Sequence, residues 1–250
     1  MLKNIVFIII CIITWVGYSQ QEASNWYFGN NAGIRFNDNG TLTELTNGQL
    51  STVEGCATIS DTDGNLIFYT DGVTVWNRNH GIMQNGSNLF GDPSSSQSAI
   101  VVPQTGKPDI FYIFTVDTET NREDDNNGFN YSIVDMSLNS GLGAVTVKNN
   151  NLLPVCTEKV TAVVKDCVDK SIWVVTLATD GTLIDNYPVY NTFFAYEVNS
   201  GGLNTTPVTS TFNLQILDNR GYLKFSPSGD KLASANATNG LYLYNFDRST

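Results

Sequence analysis

Few residues in this 250-residue chain have the types and spacing to do chemistry. His80 is the only histidine, and with Ser94, Ser95, Ser96 or Ser98 and an aspartate it would form a hydrolytic triad in which imidazole takes the hydroxyl proton. The Gly-x-Ser-x-Gly turn that presents such a nucleophile is missing, and the serines beside Gly91-Asp92-Pro93 are ordinary turn residues. Asn77 to His80 is therefore read as a segment that hydrogen-bonds loop backbone at one end of a sheet. The sequence assigns no catalytic residue and no cofactor-binding residue.

Metal chemistry has one weak foothold. Asp61-Thr62-Asp63-Gly64-Asn65 resembles part of a calcium loop, because closely spaced aspartates and a glycine can wrap a hard cation, which makes Asp61 and Asp63 the candidate ligands. The remaining spacing and the closing glutamate are missing, so a hairpin turn is the default reading. Glu119 to Asn127, ETNREDDNN, reads as a solvated acidic loop between two strands, with cation binding a minor alternative. Carboxylates gathered from distant parts of the chain would suit glycoside cleavage, which sequence spacing cannot test.

The elements that would carry these residues are short strands. Lys224 to Asn236, KFSPSGDKLASAN, is a strand, a Pro227-Ser228-Gly229-Asp230 turn and a second strand; Asn239-Gly240 then turns the chain into Leu241 to Phe246. The same order of parts recurs upstream, starting at Gly55, Ser98 and Thr161. The copies from Ser98 and Thr161 add Leu138-Asn139-Ser140-Gly141-Leu142 and Val198-Asn199-Ser200-Gly201-Gly202-Leu203, each leading to a fourth strand, near Ala144 to Val147 and Pro207 to Ser210. The fourth copy stops one strand short. Asn25 to Phe28, Gly33 to Phe36 and Thr41 to Leu45 form a leading group of strands. Successive four-stranded units that bury their faces only against their neighbours call for an all-β fold, a β-propeller with an incomplete ring of four to five blades. A two-sheet sandwich does not require the turn positions to repeat. On this reading Trp26, Trp76 and Trp173 are core between blades.

Residues 1–20, MLKNIVFIIICIITWVGYSQ, carry Lys3 as their only charge, an apolar run from Ile5 to Ile13 and then smaller and polar residues, the layout of a secretory signal peptide cleaved near Gln20. The apolar run is short for a membrane anchor. Residues 21–250 then form the propeller domain, with no membrane insertion after cleavage. The formal net charge of −11 becomes one unit more negative on cleavage, which argues against nucleic acid or anionic lipid as a partner. Export permits a disulfide, and Cys156 with Cys167 could bridge neighbouring strands; equally, cysteines on apolar strands are simply buried.

Several stretches taken together resemble a known family. Asn25-Trp26-Tyr27-Phe28-Gly29-Asn30-Asn31-Ala32-Gly33-Ile34, Glu54 to Asp61, Phe68-Tyr69-Thr70-Asp71-Gly72, Val75 to His80 and Ser94 to Ala99 are similar to the N-terminal propeller-like region of large surface proteins from Bacteroidetes-type bacteria. Those proteins usually end in a gliding-motility or type IX secretion sorting domain. Phe225 to Leu232 also resembles the strand-turn-strand piece of WD40-like repeats. The resemblance implies an N-terminal part of a longer, secreted or cell-surface protein. A propeller, a rigid ring with loops on two rims, reads as a non-enzymatic binding or scaffolding surface for an extracellular protein or glycan, in adhesion or gliding motility, with recognition on rim loops such as Asn79 to Ser98 and Asn121 to Gly128. The alternative is a propeller hydrolase or lyase acting on extracellular polysaccharide, in which two or more carboxylates converge on the central channel.

Overall fold

A computed structural model describes residues 21–117 and 127–249; the expected leader and most of the acidic stretch Glu119–Asn127 lie outside them. The described residues fold into five successive antiparallel sheets. The first holds β1 (Asn25–Phe28), β2 (Ala32–Phe36) and β3 (Leu42–Leu45), and the second β4 (Ala57–Ser60), β5 (Leu66–Thr70) and β6 (Val75–Asn77). The third holds β7 (Ala99–Pro103), β8 (Ile110–Asp117), β9 (Gly128–Asp135) and β10 (Ala144–Leu153). In the fourth, β11 (Cys156–Val164), β12 (Ile172–Ile184) and β13 (Tyr187–Asn199) run side by side, with β14 (Gly202–Leu203) and β15 (Val208–Ile216) both pairing with β13. The fifth holds β16 (Gly221–Phe225), β17 (Lys231–Asn236) and β18 (Gly240–Asn245).

Strand alternation explains how the sheets assemble. Successive side chains point to opposite faces, and here each face of an inner sheet meets a different neighbour. On β5, Phe68 packs with Phe111, Ile113 and Val134 of the third sheet, while the adjacent Tyr69 packs with Tyr27 of the first. On β8, Phe111 and Ile113 face the second sheet, and Tyr112 and Phe114 join Val160, Val174 and Tyr196 of the fourth. On β12, Val174 faces back to the third sheet and Trp173 and Val175 forward to Leu223 and Leu232 of the fifth. Four apolar cores thus link five sheets in series, and no core joins the first sheet to the fifth among the described residues. Among the described residues each inner sheet is covered on both faces, by a different neighbour on each, whereas the two sheets of a sandwich share one core.

The first strands of neighbouring sheets lie against one another, β1 with β4, β4 with β7, β7 with β11 and β11 with β16. This close approach explains why the chain carries Gly55 ahead of β4: a Cβ there would stand 2.1 Å from the backbone nitrogen of Ser98.

Among the described residues, one face of the first sheet and one face of the fifth are exposed. Trp26, expected in a core, is 51% exposed, because β1 belongs to a sheet covered on one side only; Trp76 and Trp173, on inner sheets, are buried. At the other end, Leu241 and Leu243 are 72% and 69% exposed, whereas the alternate residues Tyr244 and Phe246 pack inward.

Candidate functional site

Where the first strands converge, a polar hub joins four sheets. Ahead of β4, Gly55 donates its N–H to the Ser95 carbonyl at 3.0 Å. Ser96 donates both its backbone N–H (2.9 Å) and its hydroxyl (2.8 Å) to Glu158 Oε2 on β11. Gln97 donates its backbone N–H to the Glu158 carbonyl at 3.1 Å, and its side-chain Oε1 accepts the N–H of Leu223 on β16 at 2.8 Å. Glu158 in turn donates its N–H to the Asn219 carbonyl. Lys159, fully buried, donates from Nζ to Asn236 Oδ1 on β17 at 2.5 Å. Burial pulls the Lys159 ammonium down to about 8, partly opposed by Asp218 and Glu158. Ser98 donates its hydroxyl to the Asp71 carbonyl at 2.7 Å. Burial raises the Asp71 carboxyl, while the Thr74 and Val73 N–H groups it accepts at 2.7 and 2.9 Å act against the rise.

Beside the hub opens a cleft of about 1300 Å³. Its wall is the β12–β13 hairpin, which projects beyond its sheet to a two-residue tip, Asp185-Asn186, both with positive φ (53° and 67°), as a tight hairpin requires. Asp180, Asp185 and Tyr187 from the hairpin face Leu153, Pro154 and the segment Leu217 to Arg220. On that segment Arg220 Nη2 lies 2.9 Å from Asp218 Oδ2, and this pairing holds the Asp218 carboxyl below the usual carboxylate range. The cleft joins exposed aromatic, acidic and guanidinium groups, a surface suited to gripping a polar ligand.

The sequence-derived candidates are not brought together. Asp61 sits in the β4–β5 turn and spends its carboxylate on that turn: Oδ1 accepts the N–H groups of Asp63 and Asn65 at 2.9 and 2.8 Å, and Oδ2 accepts from the Asn65 amide. Asp63 is exposed beside it, and no group of three or more His, Cys, Asp or Glu able to hold a metal ion occurs among the described residues. His80 lies apart from the serines of the hub, in a joint between the first two sheets. Its Nε2 is 2.7 Å from Asn47 Nδ2, its Nδ1 is 3.2 Å from the Tyr69 hydroxyl, and burial lowers its pKa.

A Cys156–Cys167 bridge does not form. Cys156 opens β11 in the third–fourth sheet core and Cys167 lies exposed beyond its far end; both are free thiols. A strand rising about 3.3 Å per residue separates them well beyond the roughly 7 Å Cα limit for a disulfide. The segment Asn79 to Ser98 is also not a free rim loop: Met83 and Leu89 enter a core and Ser95, Ser96 and Ser98 are buried in the hub. Of the other expected rim loop, residues 121–126 lie outside the described residues.

Sequence reasoning missed the hub and the cleft. Glu158-Lys159 in VCTEKVTAVV, two adjacent charges inside an apolar run, was the available signal for the hub, since a strand with neither face wet must satisfy both charges internally. For the cleft the signal was Asp185-Asn186 between Ile184 and Tyr187, a two-residue turn masked by the earlier turn-like Asp180-Gly181.

No protein-family model matches the chain, and no curated protein does. Among solved structures, the chain is similar to Kluyveromyces lactis Hsv2 at 14% identity and a TM-score of 0.31, over 90% of this chain and 72% of that one. It is also similar to Saccharomyces cerevisiae Sqt1 at 14% identity and a TM-score of 0.37, over 87% of this chain and 67% of that one. The architecture rests on the order of sheets and cores described above, not on these likenesses.

Proposed function

We propose that this chain is an exported, non-enzymatic binding or scaffolding module of β-propeller type, whose sheets are WD40-like blades and whose recognition surface is the cleft beneath the β12–β13 hairpin. The observation that carries the reading is that cleft, a wide recess walled by the β12–β13 hairpin, whose strands are the longest among the described residues, and lined by Tyr187, Asp180, Asp185 and Arg220. It favours an extracellular glycan or protein as ligand. The carboxylates near the convergent strands are committed to the fold: Asp71 caps a turn, Glu158 is gripped by Ser96, and Asp218 is paired with Arg220. General acid–base work needs a carboxyl that faces substrate. Export and a role at the cell surface, in adhesion or gliding motility, rest on the leader-like residues 1–20 and on the family resemblance of the sequence.

The test is binding of the purified chain to a glycan array and to immobilised surface proteins, with Tyr187→Ala and Asp185→Ala beside the parent. Binding that drops about tenfold or more in the variants, with unchanged melting, supports the cleft as the recognition surface. Release of new reducing or unsaturated ends from a bound polysaccharide would instead establish a hydrolase or lyase.

A further inference from the structure

The cleft beneath the β12–β13 hairpin carries charge that the chain itself does not neutralise. Its walls come from three consecutive sheets: Leu153 and Pro154 where the third passes to the fourth, the hairpin of the fourth, and Leu217 to Arg220 where the fourth passes to the fifth. Neither outward face at the ends of the series lines it. Of the lining side chains, Asp180, Asp185 and Asp218 are acidic and Arg220 alone is basic. Arg220 holds Asp218 through two nitrogens, Nε at 3.1 Å from Oδ1 and Nη2 at 2.9 Å from Oδ2, so these two charges cancel. Asp180 and Asp185 are exposed and take part in no ion pair among the described residues. Oδ1 of Asp180 accepts the Thr182 N–H at 2.9 Å, and hydrogen bonding from the Thr182 side chain and N–H holds its carboxyl below the usual carboxylate range.

Apolar surface adjoins these charges, since Leu183, Tyr187 and Leu217 are each half exposed or more. Pairing with β11 stops at Cys156–Ala178, and Thr179 to Ile184 of β12 stand beyond it as a wall up to about 20 Å long at the usual rise of a strand.

We propose that the cleft takes a basic, extended segment of a protein partner, with lysine or arginine head groups at Asp180 and Asp185 and their aliphatic stems along Leu183, Tyr187 and Leu217. The inference rests on the cleft being the recognition surface and names the chemistry of its ligand. Lysine and arginine join an apolar stem to a cationic head, and an exposed tyrosine ring adds attraction for that cation. A neutral glycan would cover two carboxylates and supply no charge to offset their lost hydration. An acidic glycan or a nucleic acid meets like charge, in a chain whose formal net charge is −11. An extended segment of about six residues spans the wall.

Calorimetric titration of the purified full chain tests it, with a peptide of alternating lysine and glycine about ten residues long, its glutamate counterpart and the neutral sugar cellohexaose as probes. The lysine peptide is expected to bind, less tightly as salt is raised, and the glutamate peptide not to bind. Asp180→Asn and Asp185→Asn keep the side-chain shape and the acceptor that Thr182 uses; each should weaken binding of the lysine peptide about threefold, and the double variant about tenfold. Should either fail to fold by circular dichroism, Asp180→Ser or Asp185→Gly takes its place. Asp109→Asn removes the same charge from an exposed position outside the cleft and leaves the affinity unchanged. A lysine peptide that does not bind, or that Asp109→Asn weakens equally, overturns the proposal. Cellohexaose bound by the parent and lost in Tyr187→Ala, with the asparagine variants unchanged, overturns it in favour of a glycan and leaves the cleft as the recognition surface. If neither Tyr187→Ala nor the asparagine variants weaken any probe, the cleft reading falls with it.

Discussion

Ser96 holds the carboxylate of Glu158 twice, through its backbone N–H at 2.9 Å and its hydroxyl at 2.8 Å, across 62 positions of sequence. Glu158 lies on the first strand of the fourth sheet and Ser96 just ahead of the first strand of the third, so the pair ties two sheets at the point where first strands converge. Hydrogen bonds to a charged group contribute about 1.5–3 kcal/mol each. Ser96→Ala removes one of the two and is expected to cost about 2 kcal/mol in urea unfolding. Equal stability of Ser96→Ala and the parent would show that the grip on Glu158 is not structural.

Lys159, the neighbour of Glu158, gives the hub a pH signature. Burial lowers its pKa from 10.5 to about 8, so between these values the unfolded chain holds a proton that the folded chain has released. Stability from this group is therefore present above pH 10.5 and lost as pH falls towards 8. The neutral amine still donates to Asn236 Oδ1. The difference in unfolding free energy between the parent and Lys159→Met is expected to move in favour of the parent as pH rises through this window. A difference that is flat with pH would mean that Lys159 stays charged in the fold.

His80 behaves in the same sense at lower pH. Burial lowers its pKa below 6.5, and the Asn47 amide nitrogen faces its Nε2, which suits a neutral ring with Nε2 as acceptor and Nδ1–H towards the Tyr69 hydroxyl. Protonation would set an Nε2–H against the Asn47 N–H. The contribution of His80 is thus complete above pH 6.5 and is lost as pH falls through the lower, folded-state value. Thermal melting of the parent should drop more steeply than that of His80→Gln between about pH 7 and 5.

These pairs also show what the sequence made legible and what it hid. Turn residues and apolar runs repeat along the chain, so the leading strands and the four copies correspond to the five sheets seen, and Pro227 to Asp230 joins β16 to β17 as read. Local signals of this kind depend only on neighbours in sequence. Ser96–Glu158 and Lys159–Asn236 do not: their partners lie on different sheets and meet only after the sheets pack. For the same reason the serines of Ser94 to Ser98 read as an ordinary turn, although three of them are buried in the hub. Trp26 looked like core because its strand pattern matches those of Trp76 and Trp173; only the position of its sheet at one end of the series exposes it.

Gly55 tests the close approach of first strands directly. Its Cβ position is 2.1 Å from Ser98 N and 2.8 Å from Ser95 O, both backbone atoms that cannot swing aside. Gly55→Ala must push the β4 entry away from the hub, and overpacking of this kind costs about 1–3 kcal/mol. The expected readout is a lowered urea midpoint together with faster hydrogen exchange at the Gly55 N–H, which bonds to Ser95 O. A stability loss without that local change would place the strain elsewhere.

The thiols report on the same packing. Cys167 is exposed, Cys56 half-buried and Cys156 fully buried; burial pushes the Cys156 and Cys56 thiols up, which disfavours the reactive thiolate in both. In native buffer a thiol reagent should therefore label Cys167 first, Cys56 more slowly, and Cys156 only at the rate at which the third–fourth sheet core opens. Peptide mapping of the labelled chain separates the three sites. Rapid labelling of Cys156 together with Cys167 would mean that the core formed by Val160, Val174 and Tyr196 is open in solution, because a thiol enclosed by those side chains meets reagent only when the two sheets part.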